Sequence, residues 1–480
     1  MDKTYIISQS TSLTLVIIIS LVFTIFGILH SKKFSGINNY LTANRNIGLF
    51  SLSTSLVASA LGAWILFGPV AAATWGGIGA VIGYALGTAF PMIFLIYLGG
   101  KIRKDFPNGS SLIEFMRKKF GKSLFKLILF MTIFYMFIFL CAEVTAVAVL
   151  INYISGTELW ITASIVLSAT LVYTLYGGLR ASIFTDNIQM IVIGLILLTS
   201  IYYISTYNSN EFSFEFIKKV NPQLLSASYI PNYIAGLTFF IAVAATNLFH
   251  QGNWQRVYAA KNYDILKKSL IISFLVIVPI VFFMGFVGMV SFSVDSSNRP
   301  DLGFFSLLLK EQTEFLSLII IILGLALTIS TVDTLVNAIS SLFVVDGKAT
   351  FNFDTKIDYL KLSKYFIIFL SLIAFFIASK GYDILYLFLL ADLFCCAFVL
   401  TVFYSFYDKN IKEKNAYFAI LLGLVGGFLM FPFPDFSKSL LVGVLLPIDV
   451  FKPIVLQSLL FLSFFIATFL PAILLKFKSK

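Results

Sequence analysis

The run Thr328-Ile329-Ser330-Thr331-Val332-Asp333-Thr334 crowds hydroxyls and one carboxyl into an otherwise apolar stretch. A hard cation such as sodium wants about five or six oxygens, by analogy with other hard cations. Ser330 and Thr331 can supply two, and carbonyls freed by a break in a neighbouring helix can supply more. The alternative is that each hydroxyl simply bonds the carbonyl one turn before it. Three further carboxyls stand in apolar surroundings: Glu143, Asp186 and Asp392. A charge at mid-bilayer costs roughly 2.5–3.5 kcal/mol on insertion scales, so each is a functional candidate. Glu143 reads as an intramembrane acid. For Glu143 and Asp392 the alternative is a neutral, hydrogen-bonded packing group; for Asp186, close after Arg180, it is a solvated helix end. No Lys or Arg is expected deep in any apolar stretch, so the interior field favours a cation or a donor-rich solute over an anion. Two histidines (His30, His250) and three cysteines (Cys141, Cys395, Cys396) offer neither a metal cluster nor a nucleophile–base pair. An enzyme is therefore not expected.

These groups belong to a 480-residue chain that is 59% hydrophobic and 12% charged, with 53 Phe. Ordinary globular chains are about 45–50% apolar. The excess cannot be covered in water, so lipid must be the solvent; disorder and a disulfide scaffold are excluded too. The net charge of +11 does not imply nucleic acid, because the basic residues are scattered through short loops and form no single face. A spanning helix needs about 20 mostly apolar residues. Thirteen such stretches are expected, near 11–30, 47–73, 77–99, 123–153, 159–176, 183–206, 232–250, 269–292, 315–346, 365–379, 382–406, 416–432 and 453–475. The first is not expected to be a cleaved leader, since Lys32 and Lys33 follow it. Lys and Arg concentrate in alternate loops, as at Lys32, Lys33 and Arg45, then Lys101, Arg103, Lys104, Arg117, Lys118 and Lys119, then Arg256, Lys261, Lys267 and Lys268. The rule that such residues accumulate on the cytoplasmic side puts the N-terminus outside and the C-terminus inside, in the cell (plasma) membrane.

Two spans read as interrupted. The second contains Ser59-Ala60-Leu61-Gly62-Ala63-Trp64-Ile65-Leu66-Phe67-Gly68-Pro69, and a proline there removes a donor and clashes with the preceding turn. The seventh begins after Pro231, contains Gly236 and ends in Thr246-Asn247-Leu248-Phe249-His250-Gln251. Their spacing fits two five-helix repeats that each open with a broken helix. The competing reading is that Gly and Pro are merely commoner in membrane helices.

Several passages together resemble the sodium:solute symporter family. Tyr176-Gly177-Gly178-Leu179-Arg180-Ala181 followed by Thr185-Asp186-Asn187-Ile188-Gln189 is similar to its signature. So are Asn44-Arg45-Asn46-Ile47-Gly48, the loop Asp105-Phe106-Pro107-Asn108-Gly109, the segment Phe249 to Lys261, and Ser330-Thr331-Val332-Asp333-Thr334. The resemblance implies an all-α polytopic membrane protein with 13 transmembrane helices and a leucine-transporter-like core of two inverted five-helix repeats. Residues 1–46 would be a first peripheral helix and loop, 47–206 the first repeat, 207–406 the second, and 407–480 two peripheral helices and a tail. It also implies a sodium site made by the carbonyls of Ala58, Leu61 and Leu327 and the hydroxyls of Ser330 and Thr331. Asp186 falls on the family's sodium exit path. Ala60 stands where the proline-symporter branch has an Asp, which weakens a transfer of proline specificity.

Substrate is expected between the broken helices near the midplane. Trp64, Ile65 and Phe67 would line one side, Asn247, His250 and Gln251 the other, with Asp392 reaching the same cavity. The alternatives are plain packing for Trp64 and Phe67 and a gate hydrogen bond for His250. The expected activity is sodium-coupled import of a small polar solute, foremost an amino acid such as proline. Urea or a polyamine is the runner-up, proton coupling through Glu143 a variant, and an ion channel or sensor the reading of another class.

Overall fold

The computed structural model describes residues 5–478 apart from 35, 297–298, 312, 352–357, 409–410, 437 and 447–452. The extreme ends of both expected peripheral segments thus lie outside the described residues. Among the described residues, regular structure is helical, with only isolated β-bridges besides. The main helices are α1 (Gln9–Ser31), α2 (Leu49–Ala60), α3 (Gly68–Asp105), α4 (Lys122–Ser155), α5 (Leu159–Tyr207), α6 (Ile230–Phe249), α7 (Gln251–Ala259), α8 (Tyr263–Val294), α9 (Glu314–Leu342), α10 (Tyr359–Ala378), α11 (Ile384–Tyr404), α12 (Glu413–Met430) and α13 (Pro453–Lys478).

Eleven helices among the described residues are long and apolar enough to cross a bilayer, against the thirteen expected. The difference has a physical origin. α3 runs 38 residues and α5 runs 49, where about 20 suffice to span. Each contains one residue in a backbone conformation open essentially to glycine alone: Gly77 at φ 50°, ψ −149° and Gly178 at φ 61°, ψ −152°. Stretches expected as separate spans therefore meet at a single glycine with no loop between them. At 12 residues, α2 is too short to cross alone.

The first expected interruption is present. α2 ends at Ala60, Leu61 and Gly62 are non-helical, Ala63–Leu66 form a single tight turn, and α3 starts at Gly68 with Pro69 in its first turn. The second lies at His250 (φ −60°, ψ 107°), between α6 and α7. Freed carbonyls at the end of α6 find side-chain donors: Asn253 Nδ2 donates to Asn247 O at 2.9 Å and Trp254 Nε1 to Leu248 O at 2.8 Å. Such partners make a break tolerable where water is absent. Gly236 does not break α6. It lies at a close approach to α3, where a Cβ on Gly83 would stand 2.1 Å from Gly236 O and one on Gly79 1.7 Å from Asn232 O. Small residues of this kind let membrane helices touch through their backbones.

α9 is a continuous rod, lengthened by one wide π turn at Phe343–Gly347. It is the most buried of the long helices, with α4, α5 and α7 packed around it. α1, α10, α12 and α13 turn large apolar side chains such as Leu29, Phe376, Val425 and Ile473 outward, the pattern of a lipid-facing periphery.

Candidate ion and substrate site

The break after Ala60, the acid Glu143 and the hydroxyl Thr331 meet at one point. A Cβ on Gly62 would stand 2.2 Å from Glu143 Oε1 and 2.8 Å from Thr331 Oγ1, so only glycine fits. Glu143, from α4, accepts hydrogen bonds from Ala63 N–H at 2.9 Å and Trp64 N–H at 3.4 Å. It thereby caps the two amides left free where the chain restarts toward α3. The Ile65 amide, which a continuous helix would return to Leu61 O, goes to Gly62 O instead. No bond from Gly62 to Ala58 O occurs among the described residues. The oxygens of Ala58 and Leu61 thus lose their usual helical donors.

Ser330 and Thr331 face this break from α9, with Leu327 one turn earlier, and all three are buried. Ser330 Oγ donates to Asp186 Oδ1 at 2.6 Å, which leaves its lone pairs available to a cation. Thr331 Oγ1 is buried and has no hydrogen-bond partner. An orphaned buried hydroxyl beside under-used carbonyls is a donor set that suits sodium, so the residues present fit the ion.

Asp186 differs from a solvated helix end. It is fully buried, and its Oδ2 accepts from Ser55 Oγ at 2.5 Å and from Arg256 Nη2 at 2.8 Å. Its partner Arg256 lies outside the apolar spans, in a segment expected as a basic loop. It is also fully buried, and bonds Ser55 Oγ at 2.7 Å, Gly252 O at 3.1 Å and Thr334 Oγ1 at 3.0 Å. Asp333, the carboxyl in the hydroxyl run, is fully buried too. Tyr173 donates to it at 2.5 Å, Ser182 at 2.6 Å and Thr185 at 3.1 Å, tying α5 to α9. The signal available was the density of polar residues in two otherwise apolar stretches, because buried polar groups require partners.

Trp64, Asn247, His250 and Asp392 line one small cavity with Ser59, Ala60, Tyr84, Phe139, Val243, Thr246, Thr331 and Phe388. Its volume is about 20 Å³, room for about one water molecule. Thr331 belongs to both this cavity and the ion site. Asp392 Oδ1 accepts from Thr246 Oγ1 at 2.6 Å. Aromatic rings make the wall: Trp64 stacks on Tyr84 at 5.4 Å between centroids, and Phe139 meets Phe388 edge-on at 4.7 Å.

Three expected lining residues lie elsewhere. Ile65 is buried away from the cavity, and Phe67 packs on Phe305 at 5.2 Å. The tight turn at residues 63–66 rotates them off the face that Trp64 presents. Gln251 donates to Ser110 O at 3.0 Å, because the backbone bend at His250 redirects it toward the basic loops. There it joins a seal. Ile47 N–H donates to Ala259 O and Lys261 N–H to Ile47 O, each at 3.0 Å. Arg103 Nη1 reaches Val257 O at 2.7 Å and Ala260 O at 2.9 Å, and Arg45 Nη2 reaches Gly109 O at 2.7 Å.

Two broken helices around a small cavity, with a hydroxyl-bearing helix beside the first break, have the architecture of a secondary transporter. Residues 40–423 match the sodium:solute symporter family, and the chain belongs to it. It is 25% identical over 386 residues to the spermidine transporter DUR31 of Candida albicans, covering 80% of this chain and 72% of that one. It is 22% identical over 459 residues to sodium/glucose cotransporter 4 of Mus musculus, covering 82% of this chain and 64% of the relative. Among solved structures, a substrate-bound, outward-open Na+-coupled sialic acid symporter superposes with a TM-score of 0.74 at 15% identity, over 98% of this chain and 97% of that one. Mhp1, a nucleobase-cation-symport-1 family transporter in a closed conformation, gives 0.57 at 14% identity, over 92% and 95%. The fold is that of leucine-transporter-like sodium symporters, the coupling ion is sodium, and the protein is a multi-pass membrane transporter, not an enzyme.

Proposed function

We propose that this symporter imports a small organic amine cation of the polyamine class across the plasma membrane, with its N-terminus outside and its C-terminus in the cytoplasm. One observation carries the choice of substrate. In broken-helix transporters the exposed amides at the break receive the anionic group of a substrate; here Glu143 already occupies them. A carboxylate-bearing solute such as proline would find those amides already taken. The cavity itself offers Asp392 among Trp64, Tyr84, Phe139 and Phe388, the combination that holds an ammonium by charge and by cation–π attraction. The relation to a spermidine transporter agrees with this reading and favours a polyamine over an amino acid.

In this mechanism sodium sits among the carbonyls of Ala58, Leu61 and Leu327 and the hydroxyls of Ser330 and Thr331, and holds the break in its binding geometry. Because Thr331 lies on both sites, ion and substrate stabilise each other, and by linkage each raises the other's affinity by the same factor. Repeats 47–206 and 207–406 then move against each other. The seal at Ile47 and Ala260 opens, and Asp186 marks the sodium exit.

The test is uptake into proteoliposomes under an inward sodium gradient, comparing labelled spermidine, proline and urea. Sodium-dependent spermidine uptake is expected. Asp392→Asn should lower its kcat/KM by about tenfold or more, the loss of a charge-assisted contact. Sodium-driven proline uptake without spermidine uptake would overturn the assignment. A large substrate-free conductance would instead indicate a channel.

A further inference from the structure

A second cavity opens on the face opposite the basic loops. It measures about 310 Å³ and is lined by Ala71 and Trp75 of α3, Pro300 and Asp301, Asp383 and Leu385 at the start of α11, Phe436, and Gln457 and Leu460 of α13. That size lies at the lower end of small-molecule sites. Gln457 is 5% exposed. Its Nε2 donates to Trp75 O at 2.9 Å, and its Oε1 has no partner. Because the bonded neighbour is a carbonyl, the amide orientation is fixed and the free atom is an acceptor. Asp383 is exposed at the cavity wall. Asp301 is mostly buried and held by Arg299, whose Nη2 lies 2.5 Å from Oδ2. Arg299 also lies close enough to act on Asp383, so Asp301 and Asp383 share one guanidinium and the cavity wall keeps one net negative charge. A wall of acceptors and two aromatic rings calls for a donor-rich organic cation.

We infer that this outer cavity is a second binding site, for an organic amine, distinct from the site at Asp392. Asp383 supplies the charge, Gln457 Oε1 accepts a hydrogen bond, and Trp75 and Phe436 supply ring faces. A column of rings connects the two cavities. Trp75 contacts Phe239 at 5.4 Å, Phe239 stacks on Tyr84 at 4.9 Å, and Tyr84 stacks on Trp64.

Only the choice of probe rests on the polyamine reading above. Binding of labelled spermidine to the purified, lipid-reconstituted protein should show two sites per chain in the wild type and one in Asp392→Asn. In the Asp383→Asn/Asp392→Asn double variant the remaining affinity should fall at least tenfold. Asn is as good a helix cap as Asp, so Asp383→Asn removes charge while keeping the cap that Asp383 gives to Tyr386 N–H. Asp383→Glu in the Asp392→Asn background should retain the binding that Asp383→Asn loses, and Phe436→Ala should weaken it. The inference is overturned if Asp392→Asn binds no spermidine, or if the double variant binds it as Asp392→Asn does. Failure of the transport reading shows separately, as uptake indifferent to Asp392.

Discussion

Asp186 and Arg256 form a fully buried ion pair with Ser55, Ser330 and Thr334 as hydrogen-bond partners. Removing one member of such a pair strands the other charge without water. Arg256→Ala is expected to destabilise by about 3–5 kcal/mol. Asp186→Asn combined with Arg256→Gln should recover a large part of that, both read by thermal unfolding in lipid. The two hydroxyls proposed to bind sodium should separate in a similar assay. Thr331 Oγ1 has no partner, so Thr331→Val, of the same shape, should leave the melting temperature nearly unchanged. It should raise the half-saturating sodium concentration for uptake by about tenfold or more, the worth of one lost charge-assisted contact. Ser330→Ala should do both kinds of damage, because it also removes a donor from Asp186. Unchanged sodium dependence in the Thr331 variant would remove that hydroxyl from the site.

The long helices are governed by a few backbone positions. At Gly178 the chain adopts φ 61°, ψ −152°, and a Cβ would stand 2.4 Å from Tyr40 Cδ2. Gly178→Ala should therefore cost about 1–3 kcal/mol in strain alone, visible as loss of folded protein on heating. Gly194, with open space around its Cβ position, is the control on the same helix. Between elements, Arg103 holds the end of α7 through two carbonyls, Val257 and Ala260. Arg103→Ala should loosen the seal on the basic face. A cysteine placed at Asn247 should then react faster with a membrane-impermeant maleimide added from that face. Equal rates in the two proteins would show that Arg103 does not hold the gate.

At the scale of the whole molecule, coupling is a matter of charge crossing a bilayer. Each elementary charge moved through 100 mV contributes about 2.3 kcal/mol. One sodium ion with a trivalent amine therefore draws on about 9 kcal/mol at that potential. Spermidine uptake should accordingly fall when the membrane potential is collapsed at constant sodium gradient. Potential-independent uptake would argue for a neutral substrate or for compensating charge movement.

The membrane setting, the two helix breaks and the hydroxyl run were legible in the order of residues, because lipid imposes length and apolarity on each span and Pro69 or a cluster like Thr246 to Gln251 cannot continue an ordinary one. What the order of residues could not supply is which side chains face one another. Arg256 reads as one more loop cation until α7 is folded inward against Asp186. Glu143 reads as an intramembrane acid with no named partner until α4 places it over the amides of Ala63 and Trp64. Ile65 and Phe67 look equivalent to Trp64 until a tight turn sets their direction. Periodicity fixes a residue's depth along its own helix, whereas pairing between helices depends on rotations and crossings that arise only when the whole bundle packs.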